Sequence, residues 1–169
     1  HIVSYPINMK GDLNLVLISR TRLNTENINS ILEKNILKQN KKFSDIFSED
    51  TKSWPIYVSS KIIKPKNDKV FYLGDAFHTL LPTMAQGASQ SIEDAYELSL
   101  LLGKNVTNAH STYHKKRSEK INAIIYRSKL NYFSFHLSNS LLTKIRNYLM
   151  KTMTKNKKFL DLYLGKVYN

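Results

Sequence analysis

The chain has 169 residues, of which 41% are apolar and 23% charged, which suits one ordinary domain or a piece of a larger protein and excludes a globally disordered chain. It contains no cysteine, so disulfides and thiolate metal sites are excluded and a reducing, cytoplasmic setting is expected. The formal net charge of +13 is lopsided: residues 1–103 carry 12 Lys/Arg against 11 Asp/Glu, whereas residues 104–169 carry 14 against only Glu119 and Asp161.

In chain order, "HIVSYPI" and "LNLVLISR" predict a hairpin, because both are apolar and β-branched and "NMKGD" between them supplies Asn, Gly and Asp for a turn. The opening residues hold no charged leader and no initiator Met, so no secretory signal is expected and the chain reads as part of a longer polypeptide. Thr25 is placed to cap a helix over "ENINSILEKNILK", in which Ile28, Ile31, Leu32 and Ile36 share a face. "FSDIFSED" is a weaker helical turn. "WPIYVSSKII" predicts a strand whose Pro55 puts it at an edge or a strand start, "KPKND" a turn and "KVFYL" a short buried strand.

After Gly103 the pattern turns helical. "NAHSTYHKKRSEKINAIIYRSKL" predicts one helix with Tyr113, Ile121, Ile124 and Ile125 facing inward. Leu130, Phe133, Leu137, Leu141, Ile145 and Leu149 continue at spacings of three and four as an apolar stripe expected to pack on the rest of the domain, with Asn139 and Ser140 as an interruption. No apolar run approaches the roughly 18 residues of a membrane span. The predicted fold class is α+β: sheet material first, one strand–loop–helix junction at 71–103, then helices.

That junction reads "FYLGDAFHTLLPTMAQGASQSIEDAYELSLLLG". Asp75 follows a strand, where a short carboxylate can accept hydrogen bonds from ligand hydroxyls. Gly87 has no Cβ, so the backbone can lie against a planar ligand. The N–H groups of Ala88 and Ser89 open a helix, where the dipole favours negative charge. Glu93 and Asp94 are expected to complement the same dipole in the first turns.

The ordered string Gly74, Asp75, Ala76, His78, Pro82, Ala85, Gln86, Gly87, Glu93, Asp94 and Ala95 resembles the second FAD motif of the FAD-dependent aromatic hydroxylases, the flavoprotein monooxygenases of the para-hydroxybenzoate and salicylate hydroxylase kind. "LPTMAQGASQSIEDA" is most similar to the salicylate hydroxylase branch; Phe77 stands where a small residue is usual. "HIVSYPI…LNLVLIS" is similar to that branch's substrate-domain hairpin, and "TYHKKRSEKI" to its Tyr-x-x-x-Arg helix. No G-x-G-x-x-G occurs, the glycines being 11, 74, 87, 103 and 165, so the ADP-binding fingerprint is absent and the resemblance implies the C-terminal portion of such an enzyme.

The resemblance implies residues 1–69 as part of a substrate-binding sheet, 70–103 as a returning FAD-domain strand, loop and helix, and 104–169 as C-terminal helices. It implies FAD as cofactor, NAD(P)H and O2 as co-substrates, and hydroxylation of a small aromatic substrate. Gly74, Asp75, Pro82, Gln86, Gly87, Ala88 and Ser89 would bind FAD. Asp75 would meet the ribityl chain or pyrophosphate side, and the Gly87–Ser89 backbone the pyrimidine edge. His1, Val3 and Tyr5 alternate onto one strand face, and His1 and Tyr5 match the branch's His-x-x-x-Tyr-Pro strand, whose His is a candidate base for a phenolic proton. A histidine at a strand end accounts equally well for His1.

Two other readings use the same residues. Asp75, His78, Glu93 and Asp94 have the ligand types of a Mn, Fe or Zn centre, but adjacent Glu93 and Asp94 should point in different directions, so no metal is expected. The basic half can meet nucleic acid or touch an anionic membrane surface peripherally, and a solvated lysine-rich helix surface accounts for the same charge. No groove-reading or aromatic motif accompanies the charge, so nucleic acid is not expected as a partner. The expected partner is the N-terminal FAD-binding part of the same protein.

Overall fold

The structure, a computed structural model, describes residues 2–18, 54–59, 61–104 and 106–168. The helix expected at 26–38, the turn at 43–50 and the catalytic candidate His1 lie outside these residues. The chain divides into two compact units, His1–Ile56 and Tyr57–Asn169.

In the first unit, β1 (Ile2–Pro6) and β2 (Leu13–Leu17) pair antiparallel, with Ile2 opposite Leu17 and Pro6 opposite Leu13. The turn is built by Asn8. Its side-chain oxygen accepts from the Lys10 and Asp12 N–H groups at 3.0 and 3.2 Å, while its amide donates to the Asp12 carboxylate at 2.7 Å. Gly11, at φ +90°, supplies the left-handed step that closes it. The expected hairpin is present with the expected turn.

The second unit carries α1 (Gly87–Gly103), α2 (Ala109–Phe135), α3 (Ser140–Met153) and α4 (Lys157–Tyr168). On α2, Tyr113, Arg117, Ile121, Ile124 and Ser128 recur at steps of four and three and form the buried stripe. Ile121 and Ile124 are the centre of an apolar cluster with Ile62, Leu80, Met84 and Ile125 against them. α2 ends at Phe135, and α3 restarts after Asn139, whose side chain accepts from the Leu141 and Leu142 N–H groups at 3.0 and 3.1 Å, a helix cap at the expected interruption. Tyr163 of α4 ties back to α2, donating to Asn131 at 2.7 Å.

Three expectations need correction. The strands expected at 54–63 and 69–73 are absent among the described residues, where the one sheet is the two-stranded β1–β2 pair. A strand needs a ladder partner, and here the Ser59 and Ile63 N–H groups reach only the Thr79 hydroxyl and the Phe77 carbonyl as isolated bonds. Residues 71–73 are held instead by side chains: Phe71 meets His110 and Tyr113 edge-on, and the Tyr113 hydroxyl donates to the Tyr72 carbonyl at 3.0 Å. Finally, the apolar stripe at 130–149 is not packed: Leu130, Phe133, Leu141, Ile145 and Leu149 are all exposed. The break at 136–139 splits that stripe between two helices, so it no longer forms one continuous face.

Candidate functional site

α1 is turned inside out relative to its hydropathy. Gln90 and Asp94 are buried, while Ile92 and Tyr96 stand 72% and 60% exposed. The cause is Arg117, 1% exposed, which faces α1 from α2. Its Nε donates to Asp94 Oδ1 at 2.6 Å, one terminal nitrogen donates to Glu93, and the other donates to the Gln90 side-chain and backbone oxygens at 2.8 and 3.3 Å. Lys120 adds a bond to Glu93 at 2.8 Å, and Lys116 one to Glu97 at 2.7 Å. A guanidinium can be buried only when its fork is saturated in this way.

The other carboxylate oxygen of Asp94 accepts from the Gly74 N–H at 2.8 Å and meets His78 Nε2 at 2.8 Å. Burial pushes the Asp94 pKa up, but the hydrogen bonds from His78, Gly74 and Arg117, with the Arg117 charge, outweigh it and hold the carboxyl below its ordinary 3.8. Asp94 therefore stays ionised and pins the loop. Nearby Tyr113 is held protonated, its pKa raised chiefly by burial and then by the Asp94 charge. Phe77 is fully buried beneath the loop, 5.8 Å from Tyr113 and 5.2 Å from His114 between ring centres, and fills the space that a smaller residue would leave.

These contacts present the loop. Gly74 opens a 3-10 turn, Gly74–Ala76, at φ +54°, and a Cβ there would lie 2.6 Å from the Ser91 hydroxyl oxygen, so only glycine fits. Asp75 follows, exposed. A second 3-10 turn, Pro82–Met84, is fastened to α2 by the Thr83 hydroxyl donating to the Ser128 carbonyl at 2.8 Å. Ala85 at φ +52° then turns the chain into α1. Gln86, whose side-chain oxygen accepts from Ser89 and Gln90 at 3.3 and 3.2 Å, precedes the helix. The first helical bond runs from the Gln90 N–H to the Gln86 carbonyl at 2.9 Å, so the N–H groups of Gly87, Ala88 and Ser89 precede the ladder and are free to meet an anion. No acidic side chain occupies that first turn, and a Cβ on Gly87 would meet no atom within 4 Å.

The seven loop residues expected from the sequence thus lie in one segment of the second unit, on two turns and a helix start fixed by α2. Tyr5 belongs to the first unit, where its hydroxyl accepts from Asn14, its cross-strand partner, at 2.6 Å and keeps its own proton to donate. Glu93 and Asp94 do not act on the helix dipole. They lie beyond the first turn and, contrary to the expectation that they diverge, both reach Arg117. Among the described residues no three His, Asp or Glu side chains cluster as metal ligands do. Arg117 was missed as a site residue, although an arginine between Tyr113 and Ile121 on an apolar stripe already signals a buried partner.

The profile of the FAD binding domain family matches residues 24–128. The chain belongs to that family. Among curated relatives of this FAD binding domain, a 3-amino-4-hydroxybenzoate 2-monooxygenase of Streptomyces platensis is 28% identical over 119 residues, 69% of this chain and 30% of its own length. A 3-hydroxybenzoate 6-hydroxylase of Aquipseudomonas alcaligenes is 28% identical over 164 residues, 91% of this chain and 41% of its own. A hispidin-3-hydroxylase of Neonothopanus nambi is 40% identical over 60 residues, 36% of this chain and 14% of its own. The chain therefore spans less than half the length of these relatives. No solved structure matches it. No described helix is long and apolar enough to cross a membrane.

Proposed function

We propose that residues 1–169 are the C-terminal part of an FAD-dependent monooxygenase that hydroxylates an aromatic ring with NAD(P)H and O2. The observation that carries this reading is the loop itself: three unladdered N–H groups at the start of α1, an open Gly87 and an exposed Asp75, set on one rigid frame in a chain of the FAD binding domain family. That set fits FAD, which is polar, anionic and planar in turn. Asp75 accepts hydrogen bonds from the ribityl or pyrophosphate side. Gly74 and Pro82 shape the two turns, and Gln86 holds Ser89 while the backbone of Gly87, Ala88 and Ser89 faces the pyrimidine edge, where its N–H groups stabilise negative charge. FAD supplies the redox and oxygen chemistry; these residues bind it, orient it and exclude water.

The exposed apolar residues of α1, Ile92 and Tyr96 among them, are where the N-terminal FAD-binding part of the same protein would pack. His1 and Tyr5 are proposed for the substrate: His1 takes the phenolic proton, and Tyr5 donates its free hydroxyl proton to the ring substituent. The relatives named for hydroxybenzoates put a hydroxylated aromatic acid first among substrates to test.

The experiment uses the full-length protein containing this chain. Purified with FAD, it should oxidise NADH or NADPH faster when a hydroxybenzoate is added and yield a product heavier by one oxygen. Asp75→Ala should lower flavin retention. His1→Ala should keep the flavin and slow hydroxylation about 10²–10⁴-fold, less at high pH where the phenol ionises unaided. Absence of aromatic-dependent oxidation across hydroxylated acids, with FAD bound, would remove the hydroxylase reading.

A further inference from the structure

We infer that Arg117 is a positioning residue for the cofactor: acting through Asp94, it fixes the Gly74–Ala76 turn and so sets where the Asp75 carboxylate stands. The inference rests on the role proposed above for Asp75 and deepens it. Arg117 touches no part of the loop that faces outward. Its reach is indirect, through one carboxylate whose two oxygens bond in opposite directions, Oδ1 to Arg117 Nε at 2.6 Å and Oδ2 to the Gly74 N–H at 2.8 Å. The bond to the Gly74 N–H anchors the Leu73–Gly74 peptide, and the Gly74 carbonyl, which begins the next peptide to Asp75, accepts from the Phe77 and His78 N–H groups at 2.9 and 2.8 Å, so both peptides leading to the Asp75 side chain are held.

The same carboxylate grows from α1, whose first residues carry the free N–H groups. One buried ion pair therefore ties together the two halves of the candidate site, Asp75 on the loop and Gly87–Ser89 on the helix. The Arg117 fork is held on its remaining sides by Glu93 and Gln90, and His78 Nε2 meets the same Asp94 oxygen as the Gly74 N–H at 2.8 Å, so both ends of the carboxylate are engaged. A lysine ammonium would keep the charge and lose the planar fork. Small displacements matter at this point, because a ligand oriented by fixed groups loses affinity when one of them shifts by about 1 Å.

A thermodynamic cycle on FAD affinity in the full-length protein tests the inference, with Arg117→Lys, Asp75→Asn and the double variant. Far-UV circular dichroism and melting of each apoprotein would establish that the variants are folded at the titration temperature. We expect Arg117→Lys to weaken FAD binding on the order of tenfold, the scale of coupling inside one hydrogen-bond network, and the double variant to bind no more weakly than Asp75→Asn alone. If the two losses instead multiply, Arg117 does not act through Asp75 and the inference fails. If Asp75→Asn alone leaves FAD affinity unchanged, the role of Asp75 falls first and takes this inference with it. Should Arg117→Lys not fold, Glu93→Ala, at a half-buried position, removes the acceptor on one side of the fork; it should weaken FAD binding, and that loss must vanish in the Asp75→Asn background, whereas no loss, or a loss that multiplies, overturns the inference.

Discussion

Gly74 is the residue on which the loop turns. It combines φ +54° with a would-be Cβ 2.6 Å from the Ser91 hydroxyl oxygen and 3.2 Å from the Ser91 Cβ. Two separate costs follow for Gly74→Ala: backbone strain, about 1–2 kcal/mol for a left-handed non-glycine residue, and a steric clash. Ser91→Ala in the same chain removes the 2.6 Å hydroxyl contact and leaves the 3.2 Å Cβ contact, so it relieves most of the second cost and none of the first. Denaturant unfolding should therefore show Gly74→Ala destabilised, and the Gly74→Ala/Ser91→Ala double variant recovered in part; full recovery would mean that the backbone conformation carries no strain. At this scale the sequence was informative where chemistry is local. Asn8 and Gly11 announce their turn, and Asn139 its helix cap, because each acts on backbone a few residues away. The place of Arg117 on an apolar stripe signals burial but does not name its partners, since these lie 23 to 27 residues earlier.

Between elements, the α1–α2 junction is ionic rather than apolar, and that makes it sensitive to pH. Asp94 has a folded-state pKa below its ordinary 3.8. A depressed carboxyl stabilises the fold above the unfolded value and loses that contribution as pH falls through the folded value. Stability from this group is thus complete above about pH 5 and declines below 3.8. Asp94→Asn should cost about 3–5 kcal/mol near neutral pH, because it leaves the buried Arg117 short of a counter-charge. It should also flatten the fall in stability below pH 4, as urea titrations at a series of pH values would reveal; an unchanged acid slope would show that Asp94 is not the group responsible. Periodicity displayed α2 and its inward residues Tyr113, Ile121 and Ile124, since that signal is intrinsic to a helix. The strands expected at 54–63 and 69–73 were not decidable in the same way. A strand exists only with a neighbour to bond to, and no pattern within a segment states whether that neighbour is there.

At the scale of the whole molecule, the exposed apolar side chains among the described residues include Ile92, Tyr96 and Leu102 on α1 and a second set, Leu141, Ile145 and Leu149, on α3. Hydropathy displayed the spacing of Leu141, Ile145 and Leu149, but the expectation that a stripe over 130–149 packs on the rest of the domain is not met. The loop string was legible as a resemblance, whereas the frame that holds it was not. The measurement that tests the central claim most directly is the flavin content of the full-length protein after gel filtration, wild type against Gly87→Val, with the melting temperature of each apoprotein beside it. Gly87 is the first residue of α1, a side chain there meets nothing in the protein within 4 Å, and valine is no poorer a helix residue than glycine, so the fold should accept valine with little change in stability. Flavin bound against that backbone should not accept it. The account predicts stoichiometric FAD in the wild type, little or none in Gly87→Val, and nearly equal melting temperatures. Full flavin retention in Gly87→Val would contradict it, because the cofactor would then lie elsewhere.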